Sequence, residues 1–137
     1  MQRFTKYSKK TGVEWIAAPD VKIRLRRLAN LLELEWIKTS RTFCVRSSGT
    51  KTRAIARIWG LGRVWQLALR QKPAYIIEVI SERFDRLGEE DKDKVLLHEI
   101  SHIPKNFSGA LLPHIRRGKR SFHDKLKLLV AQYSRDK

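Results

Sequence analysis

The sequence predicts a single α+β domain, and three observations support this prediction. The chain has 137 residues, a length that fits one domain. Hydrophobic residues make up 42% of the chain, which is enough to form a modest core. The predicted elements follow one another as a helix, strands, a second long helix, a loop and a final helix, and this order is typical of an α+β domain.

The N-terminal end of the chain is basic, and we interpret residues 1–18 as a lead-in to the domain. Within it, Trp15 and Ile16 are candidates to pack back on the core. Residues 19–137 then form the folded domain. Its predicted elements are a helix over about 20–34, strands over 42–46, 53–59 and 75–80, a short helix over 63–70, a helix over about 89–103 and a final helix over 122–133.

The charge of the chain is strongly positive. It has 30 Lys and Arg residues against 14 Asp and Glu residues, a net charge of +16. Such a surface attracts polyanions, of which nucleic acid is the commonest, but a charged surface that only keeps the protein in solution explains it equally well. The basic residues Lys22, Arg24, Arg26 and Arg27 are best explained as a solvated helix face. We expect at least two of the four tryptophans to pack in the core.

The chain has a single cysteine, Cys44, so no intramolecular disulfide can form. We expect Cys44 to be a small buried hydrophobic residue of a strand. The basic residues near the N-terminus are not followed by an apolar stretch, and no apolar run approaches the length of a membrane span. We therefore expect a cytoplasmic protein that does not contact a membrane, and the sequence leaves its oligomeric state open.

One short motif points to chemistry. His98-Glu99-Ile100-Ser101-His102 matches the HExxH pattern, in which two histidines four residues apart lie on one helix face and can reach the same zinc ion. Glu99 would then act as the general base for a water that the metal activates. A chance match on an amphipathic helix is the alternative. It is disfavoured because all four histidines of the chain fall between His98 and His123.

A catalytic zinc site usually has three protein ligands, so two histidines leave one ligand to be found. The candidates are His114, His123 and Asp124, which follow the motif in the chain. A histidine that does not bind the metal could orient the substrate or support a ligand.

Several segments of the chain carry a family resemblance. They are Arg41–Ser47, Ala56–Trp59, Trp65–Leu69, Tyr75–Leu87, Leu96–Lys105 and Phe107–His114. Through these segments the sequence resembles the predicted metallopeptidases of archaea and phages, small proteins distantly related to the SprT-like and WLM-type zincins. The resemblance covers about residues 42–116.

The resemblance implies a minimal zincin-like fold, a short twisted sheet packed with helices and an active-site helix that carries the HExxH motif. It favours His114 over His123 as third metal ligand, because the loop after the motif ends in histidine in the family. Ala110 stands where the family often has a second glycine, which puts the geometry of that loop in question. In such folds an edge strand beside the metal binds the substrate backbone, and Tyr75–Ile80 is a candidate for that strand.

Together, motif and resemblance predict a zinc-dependent metallopeptidase that acts on protein or peptide, and the analogy with SprT-like proteins extends this to protein held near DNA. The alternative is a basic nucleic-acid-binding protein whose zincin core is structural or degenerate. A metal-dependent hydrolase of a non-peptide amide is a third possibility. Candidates for stabilising the oxyanion are Arg116, Arg117 and Tyr133.

Overall fold

The structure, a computed structural model, describes residues 12–113 and 122–136. Within these residues the chain forms five α-helices and four strands, which confirms the α+β class. A short 3₁₀ turn at Thr39–Arg41 precedes the second strand. In chain order the elements are β1 (Glu14–Ala17), α1 (Pro19–Leu31), β2 (Thr42–Ser48), β3 (Ala56–Gly60), α2 (Arg63–Leu69), β4 (Tyr75–Ile80), α3 (Ser81–Phe84), α4 (Glu89–Ile100) and α5 (Phe122–Asp136).

The four strands form one mixed sheet in the order β1-β2-β4-β3. β2 and β4 run parallel, and the other two pairs are antiparallel. β4 is therefore an interior strand, and its β-branched sequence suits that position because both of its faces are largely covered. Tyr75, Ile77, Val79 and Ile80 are all at most 1% exposed.

The core lies between one face of the sheet and helices α1, α4 and α5. Each helix contributes residues at helical spacing, and the inner face of the sheet contributes alternate strand residues. The buried side chains are Val21, Leu25 and Leu28 of α1, Leu96, Leu97 and Ile100 of α4, Leu129 and Tyr133 of α5, and Cys44, Ile77 and Val79 of the sheet. Cys44 is buried in a strand, as the sequence predicts. None of the described helices is long and apolar enough to cross a bilayer.

The sequence predicts neither the short helix α3 nor strand β1. Strand β1 lies in the segment interpreted as a lead-in, and it pairs antiparallel with β2 from Glu14 opposite Ser48 to Ala17 opposite Val45. Trp15 and Ile16 are about half exposed instead of packing on the core. A strand of four residues at a sheet edge is held by backbone hydrogen bonds, so it leaves almost no apolar pattern in the sequence.

A buried carboxylate joins helix α4 to α1 and α5. Asp93 accepts hydrogen bonds from Arg24 at 2.9 Å, from Arg27 at 2.6 Å and from the hydroxyl of Tyr133 at 2.9 Å. Burial alone would raise the pKa of Asp93, but these hydrogen bonds hold it below its ordinary value. The interpretation of the basic α1 residues as a solvated face is therefore wrong for Arg24, and also for Lys22, which donates to the carbonyls of Thr39 and Thr42. Arg27 is half exposed, so it contacts both Asp93 and solvent.

We expect Asp93→Asn to destabilise the fold by about 1–3 kcal/mol, because the hydrogen bonds from Arg24 and from the Tyr133 hydroxyl lose their buried charged acceptor. The free energy of unfolding in urea measures this. Asp91→Asn removes an equal charge from an exposed position of the same helix and is the matched control. Equal stability of the two variants would contradict this role of Asp93.

The start of α1 is joined to the sheet by a second ion pair, in which Arg46 donates to both carboxylate oxygens of Asp20 at 2.9 Å. Arg46 also contacts Asp85 at 2.7 Å. The hydrogen bond from Arg46 lowers the pKa of Asp20 from 3.8 to about 2. A carboxyl group whose pKa is lower in the folded protein than in the unfolded chain stabilises the fold. This stabilisation is complete when the pH is above the pKa of the group in the unfolded chain, and it is lost as the pH falls toward the pKa in the folded protein.

We therefore expect the unfolding free energy of the wild-type protein to fall between pH about 4 and about 2. Asp20→Asn should show a shallower fall over the same interval, since it lacks this titration. Urea unfolding at a series of pH values measures the difference. The interpretation fails if Asp20→Asn follows the wild-type profile in parallel.

Candidate active site

Helix α4 carries His98 and Glu99 and has one strongly buried face. It ends at Ile100, earlier than the predicted end near residue 103, so His102 lies in the turn that follows the helix. The helix begins after Gly88, and Glu89, Glu90 and Asp91 lie in its first turn, where acidic side chains interact favourably with the helix dipole. Its apolar residues Leu96, Leu97 and Ile100 are fully buried in the core. Because they fix the rotation of the helix, His98 and His102 lie on the side that lines an open cleft.

The two histidines lie one helical turn apart and face the same space. Their ring centroids are 5.4 Å apart, and the ring planes make an angle of 71°. Nδ1 of His102 lies 2.5 Å from the carbonyl oxygen of Leu112, and the amide of Leu112 donates to the carbonyl of His102 at 2.7 Å. Since a carbonyl can only accept, Nδ1 carries the proton. In the neutral ring Nε2 then holds the lone pair that a metal ligand needs.

Glu99 lies between the two histidines in sequence, and its side chain is largely buried at the floor of the same cleft. Only 7% of the residue is exposed. Burial raises the pKa of Glu99 from 4.5 to about 7, because the charged form loses its hydration.

The cleft has a volume of about 1000 Å³ and lies between α4, the edge strand β3 and the loop that follows the motif. Residues 54–58 form its sheet side, and Leu111, Leu112 and Pro113 form its loop side. The sequence makes Tyr75–Ile80 a candidate for the strand beside the site. That strand is interior, and β3 is the edge strand that lines the cleft.

Only some of the predicted site residues can be located in the cleft. His98, Glu99 and His102 share the cleft, whereas the predicted third ligand His114 lies outside the described residues. His123 and Asp124 belong to α5, but their side chains are outside the described part of the chain. Among the described residues no group of three or more His, Cys, Asp or Glu side chains is arranged to hold a metal.

Tyr133, a candidate for stabilising the oxyanion, does not lie in the cleft. Its ring is buried in the core, and its hydroxyl donates to Asp93. The interpretation of Tyr133 as an oxyanion-stabilising group is therefore wrong. Arg116 and Arg117 lie outside the described residues.

A family model described as "Putative phage metallopeptidase" matches residues 13–128. The chain belongs to this family. Membership confirms the resemblance to phage metallopeptidases, and for a metallopeptidase it implies a metal ion and a peptide substrate. Neither the curated proteins nor the solved structures gave a significant match.

The residues in the cleft fit the metal that the family implies. Two imidazoles converge on one space, and the Nδ1–H of His102 is already satisfied by Leu112, which is how many metal-binding histidines are held in orientation. Nitrogen donors of this kind suit zinc.

The loop that holds His102 is itself anchored to the centre of the sheet through Tyr75. The Tyr75 hydroxyl accepts from the amide of Gly109 at 2.7 Å and donates to the carbonyl of Ala110 at 2.8 Å. Gln66 adds a hydrogen bond to the carbonyl of Ser108 at 2.9 Å. The sequence gives no sign of these roles of Tyr75 and Gln66, because no local pattern indicates contacts with a loop more than 30 residues away.

The backbone geometry of this loop shows whether Ala110 can stand where the family often has a second glycine. Gly109 has φ +96°, and a Cβ there would lie 2.2 Å from the carbonyl oxygen of Leu61, so glycine is required. Ala110 does not have a positive φ. Alanine at this position is therefore compatible with the loop.

We expect Tyr75→Phe to loosen the loop after α4, because the buried amide of Gly109 loses its acceptor. The free energy of unfolding should fall by about 1–3 kcal/mol. Amide hydrogen exchange should accelerate at residues 109–112 more than in α1. Unchanged exchange at Gly109 would show that Tyr75 does not anchor the loop.

Proposed function

We propose that this chain is a zinc-dependent peptidase with a zincin-like active site, in which His98, His102 and His114 bind the metal and Glu99 is the general base. The observation that supports it best is the cleft, where two imidazoles and a buried carboxylate lie along an exposed edge strand. Membership of the metallopeptidase family supports the same chemistry.

The metal ligands are proposed on geometry and on chain order. His98 lies in the last turn of α4 and His102 in the turn that follows it, and both line the same cleft. His114 directly follows Pro113, the last described residue of the loop that lines the cleft, so it is the nearest further histidine along the chain. When bound, zinc supplies Lewis acidity that polarises the substrate carbonyl and increases the acidity of a water.

Glu99 is proposed to move protons and not to bind the metal. Its side chain is buried at the cleft floor, between the two histidines in sequence. In the proposed reaction its carboxylate accepts a proton from the water that attacks the peptide carbonyl. It then donates that proton to the leaving amine nitrogen, so that one carboxyl group serves as base and as acid in turn.

The peptide is proposed to bind alongside β3. This strand pairs only with β4 in the described sheet, so its other edge can accept an extended peptide as an added strand. Ile55, Ile58 and Leu111 line the cleft and provide apolar contacts for substrate side chains. The backbone of the substrate would then be oriented by hydrogen bonds and its carbonyl would lie toward α4.

We expect Glu99→Gln to keep the fold and the zinc but to lose hydrolysis of a casein-like substrate by at least about 100-fold, because amide nitrogen cannot take up the proton. His98→Ala, His102→Ala and His114→Ala should each lose zinc as well as activity. Metal analysis of the purified proteins and rates of casein cleavage measure both effects.

His123→Ala is the matched control, and it should keep both zinc and activity. Cleavage by Glu99→Gln at the wild-type rate would overturn the general-base assignment. Loss of zinc from all four histidine variants would indicate a closed site with four protein ligands. Such a site is structural, and it would favour the alternative of a nucleic-acid-binding protein with a structural zincin core.

A further inference from the structure

The outer face of the sheet, which is the face opposite the core, carries a row of exposed apolar side chains. Phe43, Ile76 and Trp59 lie side by side on β2, β4 and β3, because Ile76 is the register partner of both others. They are 45%, 38% and 51% exposed. Neighbouring strands are about 4.8 Å apart, so the two aromatic rings stand roughly 10 Å apart across the sheet.

The aromatic side chains of this row are held in place by polar contacts. The indole N–H of Trp59 donates to the buried carboxylate of Glu78 at 2.9 Å, and Arg57 binds the same carboxylate. The guanidinium of Arg41 lies 5.8 Å from the ring centroid of Phe43 and is fixed by the carbonyl of Lys72 at 2.8 Å. Anchored rings lose little conformational entropy when a ligand stacks on them.

The row borders a groove of about 280 Å³ that is mostly apolar. Arg41, Phe43, Trp59 and Ile76 line it, together with Leu61 and Gln71, which flank α2 on either side. Trp65 of α2 is 62% exposed. The expectation that at least two tryptophans pack in the core is wrong, since only Trp36 packs against it among the four.

The chain segment that builds this face has a one-sided charge. Between Glu35 and Glu78 there is no acidic residue, while the segment contains nine basic ones. They are Lys38, Arg41, Arg46, Lys51, Arg53, Arg57, Arg63, Arg70 and Lys72. In the described part of the chain only Arg46 and Arg57 of these form ion pairs with acidic side chains. The other seven have no acidic partner in that part of the chain, and one of them, Arg41, lines the groove itself.

We infer that the outer face of the sheet binds single-stranded nucleic acid, with bases stacked on Phe43 and Trp59 and phosphates held by the basic residues around them. Exposed rings flanked by cations are the combination that single strands recognise, since their bases offer free faces and their backbone is anionic. In a duplex the base faces are covered by stacking on one another, so a duplex can bind this surface only through contacts between its phosphates and the basic side chains. A protein partner of the same row would gain from apolar area but has no general need for the seven cations.

The test is the binding of a fluorescently labelled oligothymidine of about 20 nucleotides, a length that spans several stacking positions. The full chain is used, and anisotropy is followed over a salt series. Phe43→Leu keeps an apolar side chain and removes no described side-chain hydrogen bond. A change in affinity therefore reports the contribution of base stacking on the Phe43 ring. Trp59→Leu is a second variant, checked by its unfolding midpoint because Glu78 loses a donor.

We expect each aromatic variant to bind the oligothymidine about ten-fold more weakly than the wild-type protein. The double variant Arg70→Gln/Lys72→Gln should bind more weakly and should lower the slope of log K against log salt by about 1.4, near 0.7 for each phosphate that is no longer neutralised. The matched control is Arg26→Gln/Arg86→Gln, which removes two exposed charges from other parts of the fold. It should keep most of the salt slope.

Three outcomes would overturn the inference. One is binding of the oligothymidine by both aromatic variants with wild-type affinity. Another is duplex DNA bound as tightly as the single strand, since charge alone would then explain binding. The third is dimerisation in sedimentation that Phe43→Leu abolishes while oligothymidine binding is unchanged, which would assign the row to a second copy of the chain.

Discussion

The whole arrangement depends on how helix α4 is seated in the core. Leu96, Leu97 and Ile100 are buried on one side, and this apolar burial leaves only one side of the helix for the histidines. Apolar contact alone tolerates small rotations and shifts along the axis. The hydrogen bonds to Asp93 are directional, so they also fix the position of the helix against α1 and α5. The position of the two imidazoles thus follows from interactions one to two turns before them.

The loop after α4 adds a second constraint, which acts on the ring of His102 itself. Tyr75 stands on the interior strand, and its hydroxyl holds the backbone at Gly109 and Ala110. The chain then returns to place the carbonyl of Leu112 against Nδ1 of His102. The tautomer of His102 is therefore set by a chain of contacts that begins in the middle of the sheet. Buried hydrogen bonds of this kind are stable because water does not compete for them.

The sheet serves two different surfaces because strand side chains alternate. On β3, Ile58 lines the cleft beside α4 while its neighbour Trp59 belongs to the outer face. Glu78 on the adjacent strand is buried, and it accepts hydrogen bonds from both Arg57 and Trp59. The same short strand thus borders the cleft and carries an exposed ring of the outer face. Arg57 connects the two surfaces, because it lines the cleft and lies over the ring of Trp59.

The amino-acid sequence by itself determined the features that arise from local pattern. The spacing of His98 and His102, the strand Tyr75–Ile80 and the α+β class were all predictable, since helix and strand periods act over a few residues. It did not determine which strand lies at the edge, the exposure of three tryptophans, or the contacts of Tyr75 and Asp93. Those are decided by the tertiary structure, because they join residues that are dozens of positions apart, and only the packing of the whole chain brings such residues together.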